Sequence, residues 1–90
     1  MRIRWTFAAA ADLERIRDYL QEHEPHLARP TVLKLYEGRS LKTMPRRGRV
    51  GREEGTRELV FAPLPYIAAY RVKEQAIEVL HIYHAARERS

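Results

Sequence analysis

The sequence predicts an α+β fold: one domain in the order β-α-α-β-β-β, its helix hairpin packed on one face of an antiparallel-meander sheet. Three observations carry this reading. The first half holds two stretches with apolar residues at helical spacing, and the second half holds three β-branched and aromatic runs of strand length. The links inside each half are short, which makes the helices antiparallel neighbours and the strands a meander. A chain of 90 residues encloses one modest core, so a helix pair on one sheet face is the economical arrangement.

Residues 2–6 (Arg-Ile-Arg-Trp-Thr) alternate polar and apolar and read as a short strand. Thr6 then caps a helix over 8–22, whose stripe is Ala9, Leu13, Ile16 and Leu20, with Asp12, Glu14, Arg15 and Asp18 on the remaining face. Glu24-Pro25 ends it, because a residue before proline is pushed out of the helical region. A second helix is expected over about 27–43. Pro30 belongs in its first turn, which moves the start towards Arg29. Leu33, Tyr36, Leu41 and Met44 are its expected packing residues, with Lys34, Glu37, Arg39 and Lys42 in water.

Residues 45–55 (PRRGRVGREEG) read as a mobile, exposed and basic loop. Strands follow over 56–62, 66–72 and 76–83, turned by Pro63-Leu64-Pro65 and by Lys73-Glu74-Gln75. In the last strand apolar groups fall on both parities: Ile77, Val79 and Tyr83 on one, Leu80 and Ile82 on the other. Only one face fits under the helices, so the other is expected to present an apolar and basic partner surface, unless the sheet curls to cover itself.

Composition narrows the function. Hydrophobic content of 44% argues against disorder, and 32% charged residues argue for a well-solvated surface. No apolar run is long enough for a membrane helix, and Met1-Arg2-Ile3-Arg4-Trp5 is followed by no export signal. Without cysteine there are no disulfides or thiolate metal sites, and the cytoplasm is the expected compartment. His23 and His26 flank Pro25 as solvated groups. No histidine pair has metal-ligand spacing, so neither metal nor other cofactor is expected. Seventeen Lys and Arg against twelve Asp and Glu give a net charge of +5, which suits nucleic acid or an acidic protein segment. Arg46, Arg47, Arg49 and Arg52 concentrate that charge in the loop.

Four pieces in order then carry a resemblance that spans nearly the whole chain: WTFAAAADLERIRDYL, GRVGREEGTREL, PYIAAYRV and IEVLHIYHAAR. The chain resembles toxins of the RelE/ParE superfamily from bacterial type II toxin–antitoxin modules, which share the β-α-α-β-β-β order. The resemblance implies a cognate antitoxin with an acidic segment as partner. It also implies one of two targets. ParE-like members poison DNA gyrase, and RelE-like members cut messenger RNA on the ribosome.

RNA cleavage through the 2′-hydroxyl needs a proton acceptor, a proton donor and cations about the phosphate. On the family pattern Arg57 matches the first basic position of the strand after the loop, and Arg87 the arginine after the last strand. Leu59 and Ile67 stand where RelE has basic groups, and the sequence reaches Ser90 before the place of RelE's catalytic tyrosine. These departures favour the gyrase branch. The nuclease alternative rests on Arg57, His84 and Arg87, with His84 as acid–base group; the other reading of His84 is that it satisfies local backbone groups.

Arg46, Arg47, Arg49, Arg52, Arg57 and Arg87 are the candidate contacts to antitoxin or target, received on the exposed sheet face or in the groove beside the hairpin. Arg57 is either an anion-binding group or an edge cation paired with Glu53 or Glu54, worth roughly 0–1 kcal/mol. Alternation puts it with Leu59 and Phe61, and a bulge beside Gly55 would reverse that. A third reading is a degenerate member that only binds antitoxin.

Overall fold

The computed structural model describes residues 1–86. The chain runs β1 (Arg2–Trp5), α1 (Phe7–His23), α2 (Pro25–Glu37), α3 (Arg39–Thr43), β2 (Arg49–Val50), β3 (Arg57–Val60), β4 (Tyr66–Val72) and β5 (Ala76–His84). The expected order stands, with a one-turn helix and a two-residue strand added between the hairpin and the meander. The sheet is ordered β1-β5-β4-β3-β2. β3, β4 and β5 form the antiparallel meander, and β1 joins β5 in parallel, so the sheet as a whole is mixed.

Thr6 caps α1 as the sequence suggests, its Oγ1 accepting from Ala9 N at 3.1 Å. The buried face of α1 is Ala9, Asp12, Ile16 and Leu20. Asp12 is therefore a core-facing residue and not one of the solvated charges.

α2 departs further from expectation. Pro25 occupies its first turn, which leaves Pro30 inside the helix, where it removes one main-chain bond. Gly38, in the left-handed region at φ 53°, ends α2, and α3 restarts the chain in a new direction. A Cβ on Gly38 would lie 2.6 Å from Ile3 Cδ1, so the break also lets β1 pack closely. The packing face is Ala28, Thr31 and Leu35, continued by Leu41 of α3; Leu33, Tyr36 and Met44 are exposed. Tyr36 nevertheless stacks on Trp5, with ring centroids 5.7 Å apart.

The apolar groups of both parities in β5 are reconciled by a bulge. Ala69 pairs with His81 and Tyr70 with Val79, which leaves Leu80 as the extra residue. Parity reverses there, so Ile77, Val79 and Ile82 all join the core with Leu59, Phe61, Tyr66, Ala68 and Tyr70. His81 and Tyr83 turn to the outer face beside Glu58 and Ala69. That face carries acidic as well as basic groups, and is not the apolar and basic surface expected.

Candidate functional site

The loop after α3 is fastened to the sheet. Arg49 and Val50 pair with Glu58 and Arg57, and Arg49 Nη2 lies 3.0 Å from Glu58 Oε1 across the two strands. Gly48 is buried: its N–H donates to the hydroxyl of Tyr70 at 2.9 Å, and a Cβ there would meet that oxygen at 2.5 Å. Thr56 closes the far end, where Gly51 N donates to Thr56 O and Thr56 Oγ1 donates to Glu53 O.

Arg57 stands on the same side of β3 as Leu59 and Phe61, opposite the buried Tyr70, as simple alternation requires. Its Nη1 donates to Gly48 O at 2.9 Å and to Arg46 O at 3.2 Å. The cation therefore holds two loop carbonyls and pairs with neither Glu53 nor Glu54. Hydrogen bonds from a charged donor contribute about 1.5–3 kcal/mol when buried and less at a half-exposed site such as this. The loop arginines are all exposed but do not form one cluster. Arg52 faces a cavity on the outer sheet face, Arg47 one beside β3, and Arg49 is engaged by Glu58.

The outer cavity, about 520 Å³, gathers Asp12, Arg15, Arg52, Glu58, His81 and Tyr83. Its corner is built where β1 ends. β1 pairs with β5 only as far as Trp5 opposite Val79. Thr6 then bonds to the carbonyls of Val79 and Leu80. Beyond it Asp12 takes over the bare edge of β5, its Oδ2 accepting from Ile82 N at 3.0 Å and lying 3.2 Å from His81 Nδ1. The other carboxylate oxygen accepts from Arg15. Asp12 thus replaces a missing strand for one residue and orients His81 towards the cavity. Reading the stripe as 9-12-16-20 would have placed it.

Of the nuclease alternative's residues, Arg57 and His84 are not brought together. Arg57 lies opposite Tyr70, whereas His84 lies opposite Tyr66, four residues away along β4 and so roughly 13 Å by strand rise alone. His84 Nδ1 accepts from Ala86 N at 3.1 Å, and its ring meets Tyr66 edge-on at 5.4 Å, the local satisfaction described above. Leu59 and Ile67 are buried apolar residues. Arg87 lies outside the described residues.

With this geometry in view, comparison with known proteins is specific. The model of the ParE toxin of the type II toxin–antitoxin system, parDE, matches residues 3–89. Y4kP of Sinorhizobium fredii is 38% identical over 88 residues, covering 97% of this chain and 91% of that protein. The toxin RelE2 of Caulobacter vibrioides is 40% identical over 84 residues, covering 92% and 93%. Among solved structures, a chain of the chromosomal ParDE system of P. aeruginosa superposes with a TM-score of 0.77 at 31% identity, over 93% of this chain and 95% of that one. The chain therefore belongs to the ParE toxin family of type II toxin–antitoxin systems.

Proposed function

We propose that this toxin stops growth in the bacterial cytoplasm by poisoning DNA gyrase, and that an antitoxin with an acidic segment neutralises it. The observation that carries the choice of target is the placement of Arg57. Its guanidinium is spent on the carbonyls of Arg46 and Gly48, a strand-length from His84, with Leu59 and Ile67 apolar and buried. A phosphate at His84 would thus find neither Arg57 nor a basic group at these two positions, while RNA cleavage needs several cations converging on one phosphate. Gyrase poisoning needs a binding surface and no such convergence.

The endoribonuclease reading keeps one observation in its favour, at a different place. His81, oriented by Asp12, shares the outer cavity with Glu58, Tyr83, Arg15 and Arg52, which offers acid–base groups and cations within one space.

Controlled expression in a bacterial host decides between the two. The expected outcome is chromosomal breaks and filamenting cells with intact transcripts, together with gyrase–DNA cleavage complexes on adding purified toxin to gyrase. Transcripts cut on translating ribosomes, with intact DNA and loss of cutting in His81→Ala, would overturn the gyrase reading.

A further inference from the structure

The outer face of the sheet has a second charged region, at the end away from His84. Arg4 pairs with Glu78 across β1 and β5, and Glu78 pairs with Arg71 across β5 and β4, so the three side chains share one face. It is the outer one, because their neighbours Trp5, Val79 and Tyr70 lie in or against the core. Two residues along, Arg2 stands opposite Ala76. Lys73 follows Arg71 on the same side, its Nζ 3.9 Å from Glu78 Oε1.

Four cations thus surround one carboxylate in two lines, Arg2 and Arg4 on β1 and Arg71 and Lys73 at the end of β4, with β5 between them. The β4–β5 turn adds one further carboxylate, the exposed Glu74. Arg2, Arg4 and Lys73 are exposed and Arg71 is half-buried, whereas the Glu78 side chain is only 21% exposed. Among the described residues Arg2, Arg4 and Arg71 are in no ion pair. Ala76, the apolar residue between the lines, is buried. A protein partner would find no aromatic or apolar anchor here. Phosphates need none, because cations suffice to bind them.

The spacing selects among polyanions. Within each line the two cations stand about 7 Å apart, and the lines lie two strand spacings apart, about 9–10 Å. The grooves of a DNA duplex separate its two backbones by about 6–12 Å. A single strand would use one line, and a duplex uses both. We infer that this end of the outer face binds the sugar–phosphate backbones of duplex DNA, Arg2 and Arg4 on one strand and Arg71 and Lys73 on the other. Glu78 holds Lys73 in place but opposes the phosphates. A gyrase poison meets its target on DNA, so the contact suits the proposed function, yet it does not depend on it.

The test is titration of a short labelled duplex of mixed sequence with the full-length toxin, followed by fluorescence anisotropy over a salt series. Four phosphate contacts give log K against log salt a slope of about −3.6. Arg4→Ala with Arg71→Ala is expected to weaken binding about tenfold or more and to reduce the slope by about 1.8. Arg2→Ala with Lys73→Ala repeats the test at exposed positions, should the first pair loosen the sheet. Circular dichroism and thermal unfolding check that each variant folds. Glu78→Gln is expected to tighten binding, a direction that a merely structural role would not produce. Arg29→Ala with Lys42→Ala removes the same charge from the helix layer and should stay within about twofold of wild type. No binding at low salt, or unchanged affinity and slope in both outer-face pairs, overturns the inference. Equal loss in the helix-layer pair overturns it too, since the response would be to net charge alone. Tighter binding of single-stranded RNA or of poly-glutamate than of the duplex overturns the choice of ligand. None of these outcomes involves gyrase, so failure of the gyrase reading, seen as absent cleavage complexes, is told apart from failure of this one.

Discussion

Replacing Asp12 by Ala tests whether one buried carboxylate secures the α1–β5 corner. Asp12 is 7% exposed, and its Oδ2 is the acceptor for Ile82 N at 3.0 Å, at a part of β5 that β1 does not reach. Removing the carboxylate leaves that N–H buried without a partner, a loss of about 1–3 kcal/mol. Two smaller effects oppose each other. Alanine is the better helix former by about 0.6 kcal/mol, and the contact to the exposed Arg15 guanidinium is worth roughly 0–1 kcal/mol. The net expectation is about 1–3 kcal/mol of destabilisation, which in a domain of this size lowers the thermal midpoint by roughly 4–24 °C. Asp12→Asn keeps an oxygen that can accept from Ile82 and is expected to lose less than Asp12→Ala. Thermal unfolding followed by circular dichroism measures the midpoint, and native-state exchange reads the Ile82 amide directly. A midpoint within about 2 °C of wild type, with Ile82 protection unchanged, would refute the reasoning. The apolar stripe of α1 would then hold the corner alone.

Three further substitutions test the loop and the hairpin. Gly48→Ala places a Cβ 2.5 Å from the Tyr70 hydroxyl and 2.8 Å from Glu58 O, and is expected to cost about 1–3 kcal/mol by overpacking in urea unfolding. Pro30→Ala restores a helix bond and is expected to stabilise by roughly 1–3 kcal/mol, read as a raised midpoint in the same assay. Arg57→Ala frees the carbonyls of Arg46 and Gly48, so loop amides 46–51 should exchange faster and stability fall by about 1–2 kcal/mol. Its toxicity should fall only as far as folded protein falls in the cell. Abolished toxicity at wild-type stability and abundance would instead make Arg57 a contact to the target.

The sequence made the main elements legible because each rests on a local signal. Thr6 at a helix start, the three apolar runs of the meander and the two turns all announce themselves within a few residues. The errors lie where tertiary packing chose between locally equivalent options. On α2 the larger side chains Leu33 and Tyr36 make a plausible face, yet the buried face includes the small residues Ala28 and Thr31, and the element α2 packs on is α1, where small side chains let two helices approach. Gly38 is a helix-stop residue that the apolar periodicity through 41 concealed. The bulge at Leu80 could have been suspected from apolar residues on both parities, since a reversal of face is one way to bury them all. The loop was misread for a different reason. Its composition is that of a mobile segment, but composition does not show that Gly48 is buried under Tyr70 or that Arg57 reaches back to its carbonyls. Of the candidate contacts, the arginine-rich stretch was visible from spacing alone. Its division between two cavities was not, because that depends on β2 pairing with β3.

That division bears on how the net charge of +5 should be understood. At physiological ionic strength exposed charges are screened over about 8 Å, so a partner responds to the groups at its docking site more than to the total. The outer cavity sets Arg15 and Arg52 against Asp12, Glu53 and Glu58, and has no surplus of positive charge to offer an acidic segment. The cavity beside β3 sets Lys34, Arg39 and Arg47 against the single carboxylate of Glu37. Local charge alone therefore makes the cavity beside β3 the better match for an acidic segment. The outer face carries both signs of charge and an oriented histidine. On this view charge reversal at Arg39 and Arg47 should release the toxin from neutralisation while leaving its action on the cell intact. Substitutions at Arg15 and Arg52 should do the opposite. Growth assays with and without co-expressed antitoxin separate the two effects, and equal loss of both functions in either set of variants would show that one surface serves both partners.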